Sequence, residues 1–521
     1  MSALAGQEGA RSPLNHNLYA AFAARFSRHP EKPCLLLADG RAWTYDDVER
    51  ASAKLANLLT ALGLQPGDRV AAQVDKSPEA LMLYLASLRA GMVFLPLNPA
   101  YQQAEVEYFL NDAQPGFFVC RPQFRETALA LAAQSGVPHT LVLDDNGRGS
   151  LIDMAAAHSD VFATVQRQPD DLAAILYTSG TTGRSKGAML SHRNLFSNAD
   201  ALCRAWCLTA DDILLHMLPI FHIHGLFVAC HCTLLAGSAM LFEPRFDAAR
   251  AIALLPQATV FMGVPTYYTR LLAESAFTRK CARGMRLFVS GSAPLLAETF
   301  TAFAQRTGQR ILERYGMTEG GMFTSNPYAG DRRCGSVGPA LAGVSVRVVD
   351  EAGLPCEPEV RGHIQVRGAN VFSGYWRMPE KTVEEFTADG YFRTGDIGHL
   401  DRDGYLLISG RARDLIISGG LNVYPKEIED VIDALLGVAE SAVIGLPHAD
   451  LGETVTAVVV ASPGADLSEV GIIAAVRDKL AGFKVPKQAF LAADLPRNAM
   501  GKVQKNVLRQ IYAGRSSTVK A

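Results

Sequence analysis

Tyr177-Thr-Ser-Gly-Thr-Thr-Gly-Arg-Ser-Lys-Gly187 packs hydroxyls, glycines and a lysine directly behind an apolar strand, residues 173–177. Glycines let a backbone turn tightly and approach a ligand closely, and successive N–H groups with hydroxyls cradle phosphate oxygens. Lys186 adds a mobile cation for the charge that gathers there. The run differs from the common nucleotide P-loop, which ends Gly-Lys-Ser/Thr. Here Ser185 precedes Lys186 and Gly187 follows it. A solvated turn would need neither this length nor this sequence of hydroxyls.

Around that loop lies a large, nearly neutral chain. Its 521 residues are 49% hydrophobic, enough for an extensive core and two or more domains. A formal net charge of −2 and the lack of a long basic stripe argue against a nucleic-acid partner. The nine cysteines are scattered, and an odd number suits a reducing interior. Cys203, Cys207, Cys230, His231 and Cys232 come nearest to a metal cluster, but they stand among apolar residues, where cysteine serves as a small core residue. Residues 1–14 carry no hydrophobic signal core and no Arg-rich amphipathic pattern, so a cytoplasmic protein is expected. Residues 225–242 are apolar enough to suggest a membrane span. His231 and a punctuating Gly237 favour a buried helix followed by a strand, and no span is expected.

Helical and β-rich patterns alternate over the first 400 or so residues. Residues 81–90 read as a helix, and 92–97, 258–262 and 286–290 as buried strands. The expected class is α/β: a large N-terminal domain of helix-covered sheets. Near 344–349, 362–366 and 405–409 short strands with glycine turns suggest a β-rich subdomain. Residues 424–436, 441–445, 454–461 and 472–481 then read as a small α+β domain, with the break near Gly410-Arg-Ala-Arg-Asp414.

Further segments carry chemistry. Arg314-Tyr-Gly-Met-Thr-Glu319 sets an aromatic, a hydroxyl and a carboxylate together, and one carboxylate beside phosphates suits Mg²⁺. Phe392-Arg-Thr-Gly-Asp396 places an acid after a turn, where it could accept from ribose hydroxyls. Gly410-Arg411 and Ser418-Gly-Gly-Leu-Asn-Val-Tyr-Pro425 flank the break, and Leu495-Pro-Arg-Asn-Ala-Met-Gly-Lys502 ends on a lysine after a glycine turn. Singly, Glu319, Asp396 and Lys502 would pass for a cap, a turn aspartate and a surface charge.

In this order and spacing the segments resemble the acyl-activating, or adenylate-forming, superfamily over essentially the whole chain. The resemblance implies a reaction in which a carboxylate attacks ATP to give an acyl-adenylate, and coenzyme A then displaces AMP. It implies a domain at 1–411 carrying the ATP and acyl sites and a mobile domain at 412–521 carrying the catalytic lysine. By the same resemblance, Thr178, Ser179, Gly180, Thr181, Thr182, Gly183 and Lys186 hold the β- and γ-phosphates. Thr318 and Glu319 bind the α-phosphate and Mg²⁺. Gly291, Ser292, Ala293, Tyr315 and Gly316 lie along the adenine, and Asp396 and Arg411 hold the ribose. Gly419 and Gly420 border the pantetheine arm of coenzyme A. Lys502 bridges two anions, a contribution of about 3–4 kcal/mol to the transition state. The usual pivot residue is Asp or Lys, whereas this chain has Arg413.

Within the superfamily the chain most resembles the malonate–CoA ligases, through Leu218-Pro-Ile-Phe-His-Ile-His-Gly-Leu226, Met262-Gly-Val-Pro-Thr-Tyr-Tyr-Thr-Arg270, Arg286-Leu-Phe-Val-Ser-Gly-Ser-Ala-Pro294 and Thr324-Ser-Asn-Pro327. It departs where a threonine usually follows Glu319 and Gly320 stands instead. A small dicarboxylate keeps one charge after activation, and that charge must not be buried unpaired. Arg270 is the expected partner, its fork meeting a carboxylate bidentately, with Ser292, His222 and His224 completing the pocket and His222 also a catalytic candidate. Arg270 could equally be an ordinary helix-surface charge. A short- or medium-chain monocarboxylate–CoA ligase and an adenylation enzyme loading a carrier protein in trans are the alternatives. Nothing in the sequence speaks to oligomeric state.

Overall fold

The computed structural model describes residues 15–178, 185–418, 421–448, 451–498 and 501–513. The chain divides into two compact units, Met1–Cys34 with Trp43–Phe196, and Leu35–Ala42 with Ser197–Ala521.

The first unit is built on a six-stranded sheet in the order His139–Val142, Phe117–Cys120, Arg69–Gln73, Val93–Pro96, Leu172–Thr178, Lys186–Ser191. All neighbours are parallel except the last pair, an antiparallel hairpin. The expected helix at 81–90 forms as Pro78–Arg89 and starts earlier than its apolar run. Ser77 caps it, its Oγ accepting from the Ala80 N–H at 3.1 Å, and Pro78 occupies the first turn, where a missing N–H does no harm. Residues 80–89 are all buried, so this is a core helix between sheet and neighbouring helices.

The second unit holds three sheets. In the largest, Gly321–Ser325, Leu312–Met317, Leu287–Ser290, Val260–Gly263, Ile213–His216 and Ala239–Phe242 lie side by side, followed by Pro33–Leu37 through its residues 35–37. Leu312–Met317 and Gly321–Ser325 form an antiparallel hairpin at one side of an otherwise parallel series. Phe261, Tyr268, Phe277, Phe288 and Phe303 fill the core beneath, with Phe288 and Phe303 meeting edge to face at 4.9 Å between centroids. The expected β-rich part is a four-stranded antiparallel sheet, Val344–Val349, Gly362–Gly368, Phe392–Leu400, Leu406–Arg411. Beyond a short turn at Ala412–Asp414, Ile416–Ser418, Leu421–Val423, Val438–His448, Gly452–Ala461 and Gln488–Ala492 make a further sheet covered by Pro425–Asp433, Glu469–Arg477 and Lys505–Tyr512. The α/β class and the run of parts expected from the sequence are thus observed.

The apolar stretch at 225–242 is a π-helical segment His224–Cys230, a helix His231–Ala236, a left-handed Gly237 and the strand Ala239–Phe242. No helix among the described residues is long and apolar enough to cross a membrane. Within this stretch Cys230 and Cys232 are buried, Cys230 Sγ lies 3.3 Å from His216 Nε2, and burial pushes His231 down to about 3.

Asn326, at the end of the hairpin, ties the sheet to the segment that follows. Its amide donates to the carbonyls of Glu313 at 3.1 Å and Ser336 at 2.6 Å, and its Oδ1 accepts from the Arg333 N–H at 3.1 Å. Asn326→Ala leaves buried backbone groups unsatisfied. Urea unfolding should show a loss of about 1–3 kcal/mol with an unchanged m-value.

Candidate active site

The antiparallel hairpin and the β-rich sheet build one charged cluster. Strand register sets Asp396 directly opposite Arg411, which brings their side chains together. Arg411 Nε lies 2.8 Å from Asp396 Oδ1, and its Nη1 donates to the Thr394 carbonyl at 3.1 Å. The Tyr315 hydroxyl donates to the other oxygen of Asp396. Tyr315 reaches it from a bulge at Tyr315/Gly316, where a Cβ on Gly316 would lie 2.0 Å from the Gly321 carbonyl oxygen. Burial opposes the charge on Arg411, but Asp396, Tyr315, Glu319 and Asp414 together hold its pKa above the usual value.

Thr318, Glu319 and Gly320 form the hairpin turn. Glu319 is buried and accepts from the Tyr375 hydroxyl at 3.0 Å. Burial and this carboxylate both push the Tyr375 pKa up. No group of three His, Cys, Asp or Glu side chains among the described residues could hold a metal alone. A single buried carboxylate fits Mg²⁺ only as a partial donor set that phosphate oxygens complete.

Lys502 is brought to the same cluster. Its turn is closed by Asn498, which exchanges backbone bonds with Lys502 and Gly501 and accepts from the Lys502 N–H at 2.9 Å. Gly501 has φ +74°, and a Cβ there would stand 3.2 Å from Thr266 Oγ1, so the turn lies against the start of the helix Pro265–Ala273. Burial, then the nearby Arg411 charge, push the Lys502 ammonium down to about 8, although Asp396 pulls the other way.

A second cluster forms around Arg314, to which the sequence reading gave no role. Arg314 is 4% exposed, and its Nε and Nη2 find no hydrogen-bond partner. Its guanidinium lies over Gly291, where a Cβ would sit 2.4 Å from Cζ. Parallel pairing of Ser290 with Glu313 brings the next residues, Gly291 and Arg314, alongside. Ser292 adopts φ +71°, strained for a residue with a side chain, and its Oγ lies 3.3 Å from His224 Nδ1. Burial with the Arg314 charge drives His222 to about 4 and His224 well below its usual value, so both are neutral at pH 7. Burial lowers Arg314 itself to about 9.

Arg270 follows Thr266 by one turn of the helix Pro265–Ala273. Tyr268 and Leu271 take the buried face of Pro265–Ala273, while Thr269 and Arg270 are exposed. The guanidinium whose charge reaches His222 and His224 is that of Arg314. Arg286 is committed to Asp212, with Nε 2.6 Å from Oδ1. Arg413 is exposed beside Asp414, which pairs with Arg509 at 2.9 Å.

Lys186 and Thr178 belong to the first unit, where they face each other across the hairpin Leu172–Thr178 and Lys186–Ser191. Tyr108 of the helix Gln103–Ala113 donates to the Ser185 carbonyl at 2.8 Å, and the Tyr177 hydroxyl donates to Asp112 on the same helix. One helix therefore holds both ends of the loop. Ser179, Gly180, Thr181, Thr182, Gly183, Gly419 and Gly420 lie outside the described residues.

Replacing Arg314 by methionine removes a buried charge with two unpartnered nitrogens while keeping an unbranched side chain. The change should raise the unfolding free energy by about 1–4 kcal/mol. Folding lowers the guanidinium pKa, so its penalty is full below about pH 9 and fades as pH rises toward the unfolded value. Denaturant titrations of both proteins at pH 7 and above pH 9 should show the methionine variant's advantage shrinking at the higher pH.

Residues 22–376 match the model of the AMP-binding enzyme family, and residues 427–502 match its C-terminal domain. A malonate–CoA ligase of Arabidopsis thaliana is 34% identical, covering 96% of this chain and 90% of its own length. A feruloyl-CoA synthase of Amycolatopsis is 35% identical, with 91% and 94% covered. The crystal structure of ATP-bound MatB from Rhodopseudomonas palustris is 55% identical and superposes with a TM-score of 0.94, covering 96% of this chain and 99% of that one. The chain belongs to the AMP-binding enzyme family, the adenylate-forming enzymes.

Proposed function

We propose that this AMP-forming acid–CoA ligase activates malonate, with methylmalonate as a slower substrate. The observation that carries the reading is Arg314, a buried guanidinium with two nitrogens unpartnered, set among Ser292, His222 and His224. A protein buries such a fork against a carboxylate that arrives with the ligand. The malonate–CoA ligase of Arabidopsis thaliana among the relatives supports the same acid. Neutral His222 and His224 and the Ser292 hydroxyl supply hydrogen bonds without adding charge, which suits a pocket for one free carboxylate.

In this reading Asp396 accepts from the ribose hydroxyls of ATP, and Arg411 and the Tyr315 hydroxyl fix its carboxylate for that task. Thr178 and Lys186 attend the β- and γ-phosphates, and Thr318 and Glu319 the α-phosphate. Glu319 would also hold Mg²⁺, which when bound offsets phosphate charge. Lys502 lies between the attacking carboxylate and the α-phosphate. One malonate oxygen bonds to the α-phosphorus as the bond to pyrophosphate breaks. The coenzyme A thiolate then bonds to the acyl carbon, and AMP leaves. Both partners in the first step are anions, so an ammonium that meets both lowers the barrier most where their charges converge.

AMP release with ATP, Mg²⁺ and coenzyme A should be measured across malonate, methylmalonate, succinate, acetate, butyrate, octanoate and ferulate. Malonate should be preferred. Arg314→Met should reduce kcat/KM for malonate by about 30-fold or more, since truncating one partner of a buried charge pair costs about 2–5 kcal/mol. A preference for butyrate, octanoate or ferulate would replace the dicarboxylate reading by a monocarboxylate one.

Lys502→Ala should depress adenylation at least a hundredfold while sparing thioester formation from supplied malonyl-adenylate. The ammonium is the active form and titrates at about 8 in the free enzyme. The kcat/KM for ATP should therefore fall as pH rises through that value, in a pH–rate profile of ATP–pyrophosphate exchange.

A further inference from the structure

Gly320 is a glycine for reasons of space. Its φ lies outside the left-handed range, so a side chain would be conformationally acceptable. A Cβ there would nevertheless stand 2.3 Å from Cε1 and 2.7 Å from Cζ of Phe323, far inside van der Waals contact. Neither side can give way easily. The Gly320 carbonyl is held by Asn370 Nδ2 at 2.6 Å, and Phe323 is wholly buried. The volume that a side chain after Glu319 would take is filled by the Phe323 ring, so the missing threonine does not open a cavity.

The Phe323 ring leads straight to the nucleoside cluster. It meets the Tyr315 ring edge to face, with centroids 5.7 Å apart and planes at 61°. Tyr315 in turn donates to Asp396, which pairs with Arg411. Edge-to-face pairs fix orientation because the positive rim of one ring seeks the negative face of the other. From this packing we infer that Phe323 is a positioning residue for Tyr315, and that Gly320 is its necessary complement. The pair sets how firmly Tyr315 presents its hydroxyl to Asp396, and hence how well the nucleoside of ATP is held. The inference rests on the nucleoside role proposed above for Tyr315 and Asp396.

Its signature is a split between the two substrates. Gly320→Thr drives the Phe323 ring out of place, and Phe323→Leu removes the ring without adding atoms. Both should raise the KM for ATP by about three- to tenfold, the range an aromatic pair supports. The KM for the acid should move less than about twofold. The double variant Gly320→Thr/Phe323→Ala removes the clash and should bind ATP better than Gly320→Thr alone.

The measurement is ATP–pyrophosphate exchange with either substrate varied, beside thermal unfolding of each variant. An unchanged ATP KM in Phe323→Leu overturns the inference, as does an effect confined to the acid KM. Additive losses in the double variant overturn it too. Asp396→Asn separates the two levels. If it leaves the ATP KM unchanged, the nucleoside reading falls and this inference with it. If it raises the ATP KM while the Phe323 variants do not, only the inference falls.

Discussion

The strand Leu312–Met317 buries three ionisable side chains in succession, Glu313, Arg314 and Tyr315. Removing charge from water is costly, so each has to be neutralised, paired or left waiting for a ligand. A strand also turns successive side chains to opposite faces, so neighbours in sequence cannot share one partner. Three different solutions result. Burial pushes Glu313 up to about 8, so at neutral pH it is largely protonated. Tyr315 keeps its proton and lends it to Asp396. Arg314 remains charged against Gly291, with its Nε and Nη2 unpartnered. The alternation of the pleat therefore makes one strand serve both the Asp396–Arg411 cluster and the cluster around Arg314, His222 and His224.

That arrangement is possible only because certain side chains are missing. Gly291 clears the space for the Arg314 guanidinium, Gly316 lets the two hairpin strands approach, and Gly320 clears the space for the Phe323 ring. In each case the neighbour would be displaced by a single carbon. The glycines of this site are better understood as the shapes of other residues than as flexible points.

Much of this was legible in the sequence. Asp396, Arg411, Glu319 and Lys502 stood in runs whose residue types matched a polyphosphate chemistry, and the alternation of helices and strands pointed to an α/β chain. Arg314 stands within such a run, but its residue type alone gives it no role there. Its burial depends on register with Leu287–Ser290, a pairing that local sequence does not encode. Arg270 attracted the dicarboxylate assignment because it follows the Val264-Pro-Thr turn. Its exposure follows from the phase of the helix Pro265–Ala273, and the doubled Tyr267-Tyr268 and Leu271-Leu272 leave that phase ambiguous in the sequence. Only the packed Tyr268 and Leu271 decide it. The helix Pro78–Arg89 shows a milder case, where Ser77 and Pro78 start the helix ahead of the apolar run.

The uncompensated cations have one more consequence. Lys502 is depressed by burial and by Arg411, and Arg314 by burial with only Tyr268 opposing. Both penalties are properties of the free enzyme. On the proposed reading, a bound triphosphate and a dicarboxylate would bring the charge that these groups lack, and substrate binding would strengthen their hold on their protons. The free energy withheld from stability in the empty site is returned when the anions arrive. A site preorganised in this way has little reorganisation left to do as charge moves onto pyrophosphate. A fully paired site, with a carboxylate already on Arg314, would fold more tightly and would have nothing left to offer the acid.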